Sequence, residues 1–140
     1  MAKKKNEKTS VWALPLSALL GVALTAAIAA AIVLICGKLA YGTEDPAQYS
    51  SVIGAAALYL STFFGGLFSN AYSGRRFGAS VIHAAAVCLV LAITEIAANG
   101  TLGQNLLSEL LVIPCSLLGG GACYMKLPKK KKPKFKSRGK

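Results

Sequence analysis

Four long apolar stretches constrain the fold of this 140-residue chain more than any other feature of its sequence. They cover residues 11–37, 49–70, 77–98 and 106–125, and acidic side chains interrupt only the last two. A helix needs about 20 apolar residues to cross the hydrocarbon core of a membrane, and each stretch supplies them. Inside hydrocarbon a segment must bond its own backbone groups, so each stretch is predicted to be a transmembrane helix.

The basic residues fall on one side of the predicted membrane. Of the 16 lysines and arginines, all except Lys38 precede the first stretch, separate the second from the third, or follow the fourth. The connection between the first two stretches carries Glu44 and Asp45 instead. Because basic segments are retained on the cytoplasmic face, both termini are predicted to be cytoplasmic.

The predicted fold is an all-α integral membrane protein with four transmembrane helices in a compact antiparallel bundle. Short connections make consecutive helices antiparallel neighbours. Residues 1–10 form a predicted basic cytoplasmic N-terminus, 11–125 the membrane domain, and 126–140 a basic cytoplasmic tail. A tail so rich in lysine has little to bury, so it is predicted to be disordered.

The composition supports a membrane protein over a soluble one. With 54% hydrophobic and 15% charged residues, the chain lies outside the range of ordinary soluble domains. A net charge of +11 would indicate nucleic-acid binding on a folded surface, but here it is concentrated at the ends and in one turn. A cleaved signal peptide is the alternative for the first stretch, which contains an alanine-rich segment at 26–31. The run continues through Ile35, which favours a retained span.

The four cysteines lack the paired spacing of metal sites and disulfide frameworks; they are Cys36, Cys88, Cys115 and Cys123. All fall in apolar stretches, so they are interpreted as small packing residues. The sequence contains no Ser-His-Asp set, no H-E-x-x-H motif and no phosphate loop. We therefore predict no cofactor, no bound metal, no catalytic residues and no enzymatic activity.

Small residues recur at every fourth position in the first two stretches. This spacing places them on one face of a helix, where they permit close contact between helices. The first packing face comprises Ser17, Gly21, Thr25 and Ala29, and the second comprises Ala57, Ser61, Gly65 and Ser69. Helix packing is the favoured interpretation, and a pore lined by small polar residues, which has the same periodicity, stays open.

Four ionisable residues are candidates for an intramembrane polar site: His83, Glu95, Glu109 and Lys38. Burial of such groups is costly, so a functional role is one hypothesis. Glu95 and Glu109 reach a similar depth near the outer interface, where they share a proton, pair with Lys38 or stay hydrated. His83, about two turns from Arg76, either relays protons or hydrogen-bonds to a neighbouring helix.

Pro114 and Gly119–Gly121 are predicted to interrupt the fourth helix. Proline lacks a backbone donor, and glycine has a low helix propensity. Such a break either forms a ligand site or admits a neighbouring helix, and the sequence leaves both possibilities open.

Four short patterns carry a resemblance to a known family: Gly65–Gly66, Ser73–Arg76, Gly78 with His83, and Gly119–Gly121. They resemble the YrzE-like family, small membrane proteins of Gram-positive bacteria. That family has a Gly-Gly pair in the second span, a Gly-Arg turn, and a Gly and a His opening the third. The resemblance implies a four-span, multi-pass protein of the bacterial cytoplasmic (plasma) membrane and supplies no catalytic residues.

The favoured functional hypothesis is a non-enzymatic packing or interaction protein whose tail binds anionic lipid. The residues predicted to contact head groups are Arg75, Arg76, Lys129, Lys130, Lys131, Lys132, Lys134 and Lys136. Predicted partners are a bilayer with anionic lipids and a second copy or another membrane protein; nucleic acid is a less favoured partner of the tail. The alternatives are a small proton-coupled transporter or channel acting as an oligomer, and a holin-like pore former.

Overall fold

A computed structural model describes residues 12–74, 76–101 and 106–125 of the chain. Within these ranges the chain forms four long helices, α1 (Ala13–Ala40), α2 (Ser50–Tyr72), α3 (Phe77–Asn99) and α4 (Leu106–Met125). A short 3-10 helix at Pro46–Tyr49 leads into α2. The predicted N-terminal segment 1–10 and the predicted tail 126–140 lie outside the described residues.

All four helices are long enough and apolar enough to cross a membrane. The sequence-based prediction of an all-helical fold with four membrane-length segments is therefore confirmed. Tyr41 follows α1 and Trp12 precedes it, and both side chains are exposed.

Glycine and hydroxyl groups shape two of the helix ends. α3 ends at Gly100, whose φ of 69° is left-handed, and its N–H donates to Ile96 O over 2.9 Å. After α2, Gly74 has a φ of 74°, and Ser73 Oγ accepts a hydrogen bond from the backbone N–H of Arg76 over 3.4 Å. The turn between α2 and α3 is therefore tight, and it returns the chain alongside α2.

The central pair of the bundle is formed by α2 and α3. Each of these two helices contacts the other three, whereas α1 and α4 have no close backbone approach among the described residues. The most extensive interface is between α2 and α4. Gly66 of α2 faces Ser116 of α4, and four residues further along both helices Asn70 bonds Gly120. These two helices thus run in the same direction, as expected where consecutive helices are antiparallel; the prediction did not state that α2 and α4 pack against each other.

The interior of the bundle is built from small and polar side chains. The buried apolar residues are five alanines and two valines: Ala18, Ala40, Ala57, Ala79, Ala84, Val87 and Val112. Polar residues, mostly with hydroxyl groups, and glycines supply the rest of the interior. Large apolar side chains lie outside, for example Leu34 at 73% exposure and Leu118 at 66%. This burial pattern is the reverse of that in a water-soluble helical bundle.

The predicted interruption of the fourth helix is wrong. α4 is one continuous helix with Pro114 inside it, and the glycines Gly119–Gly121 belong to the same helix. Pro114 is exposed, so its ring faces away from the neighbouring helices. Proline removes one backbone hydrogen bond, but opening the helix further would leave more backbone groups without a partner, at a cost for each. The glycines instead permit close packing, since Gly119 and Gly120 are buried.

Candidate functional site

His83 lies in the polar interior of the bundle and is the largest side chain with no exposed surface. Its Nε2 is 3.0 Å from Thr25 Oγ1 on α1, and its Nδ1 is 2.9 Å from Ser116 Oγ on α4. Both ring nitrogens therefore have a hydroxyl partner. Through this ring α3 connects α1 and α4, the two helices that do not approach each other.

Two glycines make room for the imidazole ring. A Cβ atom on Gly21 of α1 would lie 2.8 Å from Cδ2 of His83, and one on Gly65 of α2 would lie 2.7 Å from Nε2. Both separations are shorter than carbon and nitrogen atoms tolerate without displacement. The ring thus occupies a space that exists only because both positions lack a side chain.

The two predicted packing faces meet each other within the chain. All their residues are buried except Ala29, which is half-buried. A Cβ on Gly21 would lie 3.0 Å from Cβ of Ser69 and 3.1 Å from the carbonyl oxygen of Gly65. Since each face covers the other, neither presents a free surface to a second copy or to another protein.

The sequence analysis missed a second row of small and polar residues on α2, displaced by one position from the first: Thr62, Gly66 and Asn70. Ser73, four positions after Ser69, continues the first row. The second row contacts α3 and α4. Asn70 Nδ2 donates to Gly120 O over 2.7 Å, and Ser80 Oγ donates to Gly66 O over 3.3 Å. The second row could have been found from its spacing along the sequence, which places it beside the first face on the same side of α2.

Three glycines, which lack side chains, allow α4 to approach α2 and α3 closely. A Cβ on Gly119 would collide with the backbone carbonyl of Phe63, and one on Gly66 would collide with the backbone of Ser116. A Cβ on Gly120 would collide with the hydroxyl of Ser80. Close backbone approach of this kind is how helices gain dispersion contacts where no water is expelled.

Glu95 and Glu109 line one cleft of about 580 Å³ between α2, α3 and α4. The Glu95 side chain is buried, at 7% exposure, and Glu109 is half-buried. Glu95 follows His83 by 12 positions on α3, which is about 18 Å along a helix rising about 1.5 Å per residue. The structure therefore brings the two carboxylates together and leaves the histidine in a separate site.

The other predicted site residues lie apart from both sites. Lys38 is exposed on α1 and does not line the carboxylate cleft. Arg76 is half-buried just before α3, while Arg75 and the predicted head-group lysines of the tail lie outside the described residues. The four cysteines are free, half-buried thiols. Within the described ranges, no three His, Cys, Asp or Glu side chains cluster as a metal site would require.

These features define a class: an all-helical protein with four membrane-length helices around a buried polar interior. No protein-family model matches the chain, and neither a curated protein nor a solved structure matches it. The resemblance to the YrzE-like family therefore stays a prediction.

Proposed function

We propose that this chain is a multi-pass protein of the bacterial cytoplasmic membrane, with both termini inside, that acts without enzymatic activity by interaction with lipid and other membrane proteins. The observation that carries the membrane assignment is the reversed burial pattern. No leucine, isoleucine or phenylalanine side chain is buried in the described residues. In water such a bundle would expose most of its apolar surface and gain little from folding, whereas acyl chains solvate that surface well.

The distribution of charge supports the proposed orientation. The N-terminal segment, the turn after α2 and the tail together contain all basic residues except Lys38. The opposite orientation would place these segments outside, against the cytoplasmic retention of lysine and arginine.

Cysteine accessibility tests this orientation. The four native cysteines are replaced, and single cysteines are introduced at Thr43, which is exposed between α1 and α2, and at Ser137 in the tail. An impermeant maleimide applied to intact cells is expected to label position 43 and to spare position 137 until the cells are permeabilised. Labelling of position 137 in intact cells would contradict the proposed topology.

The tail is proposed to hold anionic lipid at the inner leaflet. From Lys126 to Lys140 the sequence has nine basic residues and one aromatic residue, Phe135. Each lysine near an anionic surface contributes at most about 1 kcal/mol, and salt screens charges beyond about 8–10 Å. The total attraction is therefore smaller than the sum of the contributions of the individual lysines, but it remains sufficient for reversible binding.

A peptide of residues 126–140 tests the tail proposal. We expect binding to vesicles with anionic lipid at physiological salt, and at least about 10-fold weaker binding when Lys129–Lys132 are replaced by glutamine. Vesicles of zwitterionic lipid alone are the control, and RNA is the competing ligand because its phosphates attract the same lysines. Binding to RNA but not to anionic vesicles would reject the lipid role.

A small proton-coupled transporter or channel is the second candidate. Two observations favour it: the carboxylates that share a cleft and the buried histidine with hydroxyl groups on both ring nitrogens. Both are groups that exchange protons, and both lie inside predicted spans. Proton flux into liposomes that contain the purified protein, lost on Glu95→Gln, would separate this candidate from the first. A holin-like role gains no support from the described residues.

A further inference from the structure

The hydroxyl groups beside His83 each have a second hydrogen-bond partner. Thr25 Oγ1 is 2.9 Å from the carbonyl oxygen of Gly21, and Ser116 Oγ is 3.1 Å from the carbonyl oxygen of Ser80. With the two ring contacts of 3.0 and 2.9 Å, this makes a chain of four links through the imidazole. The chain begins at a backbone carbonyl on α1 and ends at one on α3.

Four links need four hydrogen atoms, and the number available depends on the ring. Each hydroxyl supplies one hydrogen, and a backbone carbonyl supplies none. Neutral imidazole supplies one more, which makes three, so one link stays without a hydrogen. Imidazolium supplies two, which makes four, and each hydroxyl then donates to its carbonyl while it accepts from the ring.

We propose that His83 is a proton-binding site of this protein, and that uptake of a proton by the ring completes the hydrogen-bond chain from Gly21 through Thr25 and Ser116 to Ser80. The ligand is the proton itself, taken up from water and returned to it without any change in covalent bonds other than the N–H bond of the ring. In the protonated state every link of the chain has a hydrogen. In the neutral state both ring–hydroxyl links keep theirs, and one of the two hydroxyl–carbonyl links lacks one.

The surroundings of the ring are uncharged on every side that the structure describes. α1 presents Gly21 and Thr25, α2 presents Gly65, and α4 presents Ser116. The other titratable residues of the four helices make none of the hydrogen bonds to the ring given above. They are Cys36, Lys38, Tyr59, Tyr72, Cys88, Glu95, Glu109, Cys115, Cys123 and Tyr124. The two hydroxyl groups and the carbonyl oxygen of Gly21 therefore stabilise a charged ring locally, against the cost of its burial.

The chain contains a single histidine, which makes the test direct. The full-length protein, labelled with ¹⁵N-histidine and purified through a tag without histidine, is placed in lipid bilayers. The two ring nitrogen resonances then distinguish one N–H group from two without further assignment. We expect a reversible conversion from the form with one N–H group to the form with two as the pH is lowered.

Variants of Thr25 and Ser116 test whether their hydroxyl groups support proton binding by the ring. Thr25→Val and Ser116→Ala are each expected to weaken proton binding by about 10-fold or more, because a hydrogen bond to a charged group is lost. Thr62→Val is the matched control, since the buried Thr62 hydroxyl donates to Leu58 O over 2.6 Å and not to the ring. Thr25→Ser and Ser116→Thr retain the hydroxyl and are expected to bind a proton as the parent does.

Three outcomes would overturn the proposal. The first is a ring that keeps one N–H group across the whole pH range while circular dichroism shows an intact helical fold. The second is equal proton binding in Thr25→Val, Ser116→Ala and the parent. The third is a loss of proton binding in Thr62→Val as large as the loss in Thr25→Val and Ser116→Ala. If Thr25→Val or Ser116→Ala does not fold, the titration of the parent and of the two hydroxyl-retaining variants still tests the proposal.

Discussion

Replacement of Gly119 by alanine is expected to destabilise the bundle by about 3 kcal/mol, the upper end of the usual cost of overpacking an interior. The new Cβ would collide with the backbone carbonyl of Phe63 and would lie 3.1 Å from the backbone nitrogen of Leu67. Neither atom belongs to a flexible side chain, so the clash is relieved only by moving α4 away from α2. That movement weakens the most extensive interface of the bundle.

Gly121→Ala is the matched control, because it is the same substitution on the same helix. Beyond the backbone of its own helix, no atom of the described residues lies within 4 Å of the Cβ position at Gly121. Alanine has the higher helix propensity by about 0.8–1.0 kcal/mol, so this variant is expected to equal the parent or exceed it in stability. Unfolding in mixtures of mild detergent and dodecyl sulfate, followed by circular dichroism, measures both. Equal stabilities of the two variants would show that α2 and α4 are not in close contact.

His83→Ala and Gly21→Ala are expected to be strongly non-additive. His83→Ala empties a fully buried position and is expected to cost about 2–4 kcal/mol, as other large-to-small interior substitutions do. Gly21→Ala places a Cβ 2.8 Å from Cδ2 of the ring and is expected to cost about 1–3 kcal/mol. Without the ring much of that clash disappears, so the double variant is expected to be about 1–2 kcal/mol more stable than the sum of the single effects predicts.

The relief in the double variant is partial for a structural reason. The same Cβ would still lie 3.0 Å from Cβ of Ser69 and 3.1 Å from Gly65 O, both of which remain. The four proteins of the cycle are compared in the same unfolding assay. Effects that add to within about 0.5 kcal/mol would mean that Gly21 does not make room for the ring.

The sequence was sufficient to predict the number and type of the helices. Long apolar runs are a local property, and so are the polar connections that end them, such as the one around Glu44 and Asp45. α3 and α4 begin at the predicted positions 77 and 106, whereas α1 extends to Ala40, three residues beyond the predicted end. The connection after α1 begins at Tyr41, because the residues from there on favour turns rather than a helix.

The hydrogen-bond partners of His83 could not be predicted from the sequence. Periodicity shows which residues share a face of one helix, but the register between two helices depends on contacts far apart in the chain. Thr25 was assigned to a packing face, and Ser116 was not singled out, yet both bond the ring. The fourth helix was predicted to be interrupted because Pro114 and Gly119–Gly121 were assessed only by their local effects, a missing backbone donor and a low helix propensity, and not by the contacts of the whole helix.

The parallel contact between α2 and α4 has a consequence for how this protein is made. Asn70 and Gly120, which bond across that interface, are separated by 50 positions in the chain. At about 5–20 residues per second, a ribosome needs about 2.5–10 s to add the residues between them. During that interval α2 is already synthesised while the carbonyl that receives its Asn70 amide does not yet exist. The nascent hairpin of α1 and α2 therefore carries a polar stripe whose final partner is not yet synthesised, and the packing of α4 against α2 is the step that completes this interface.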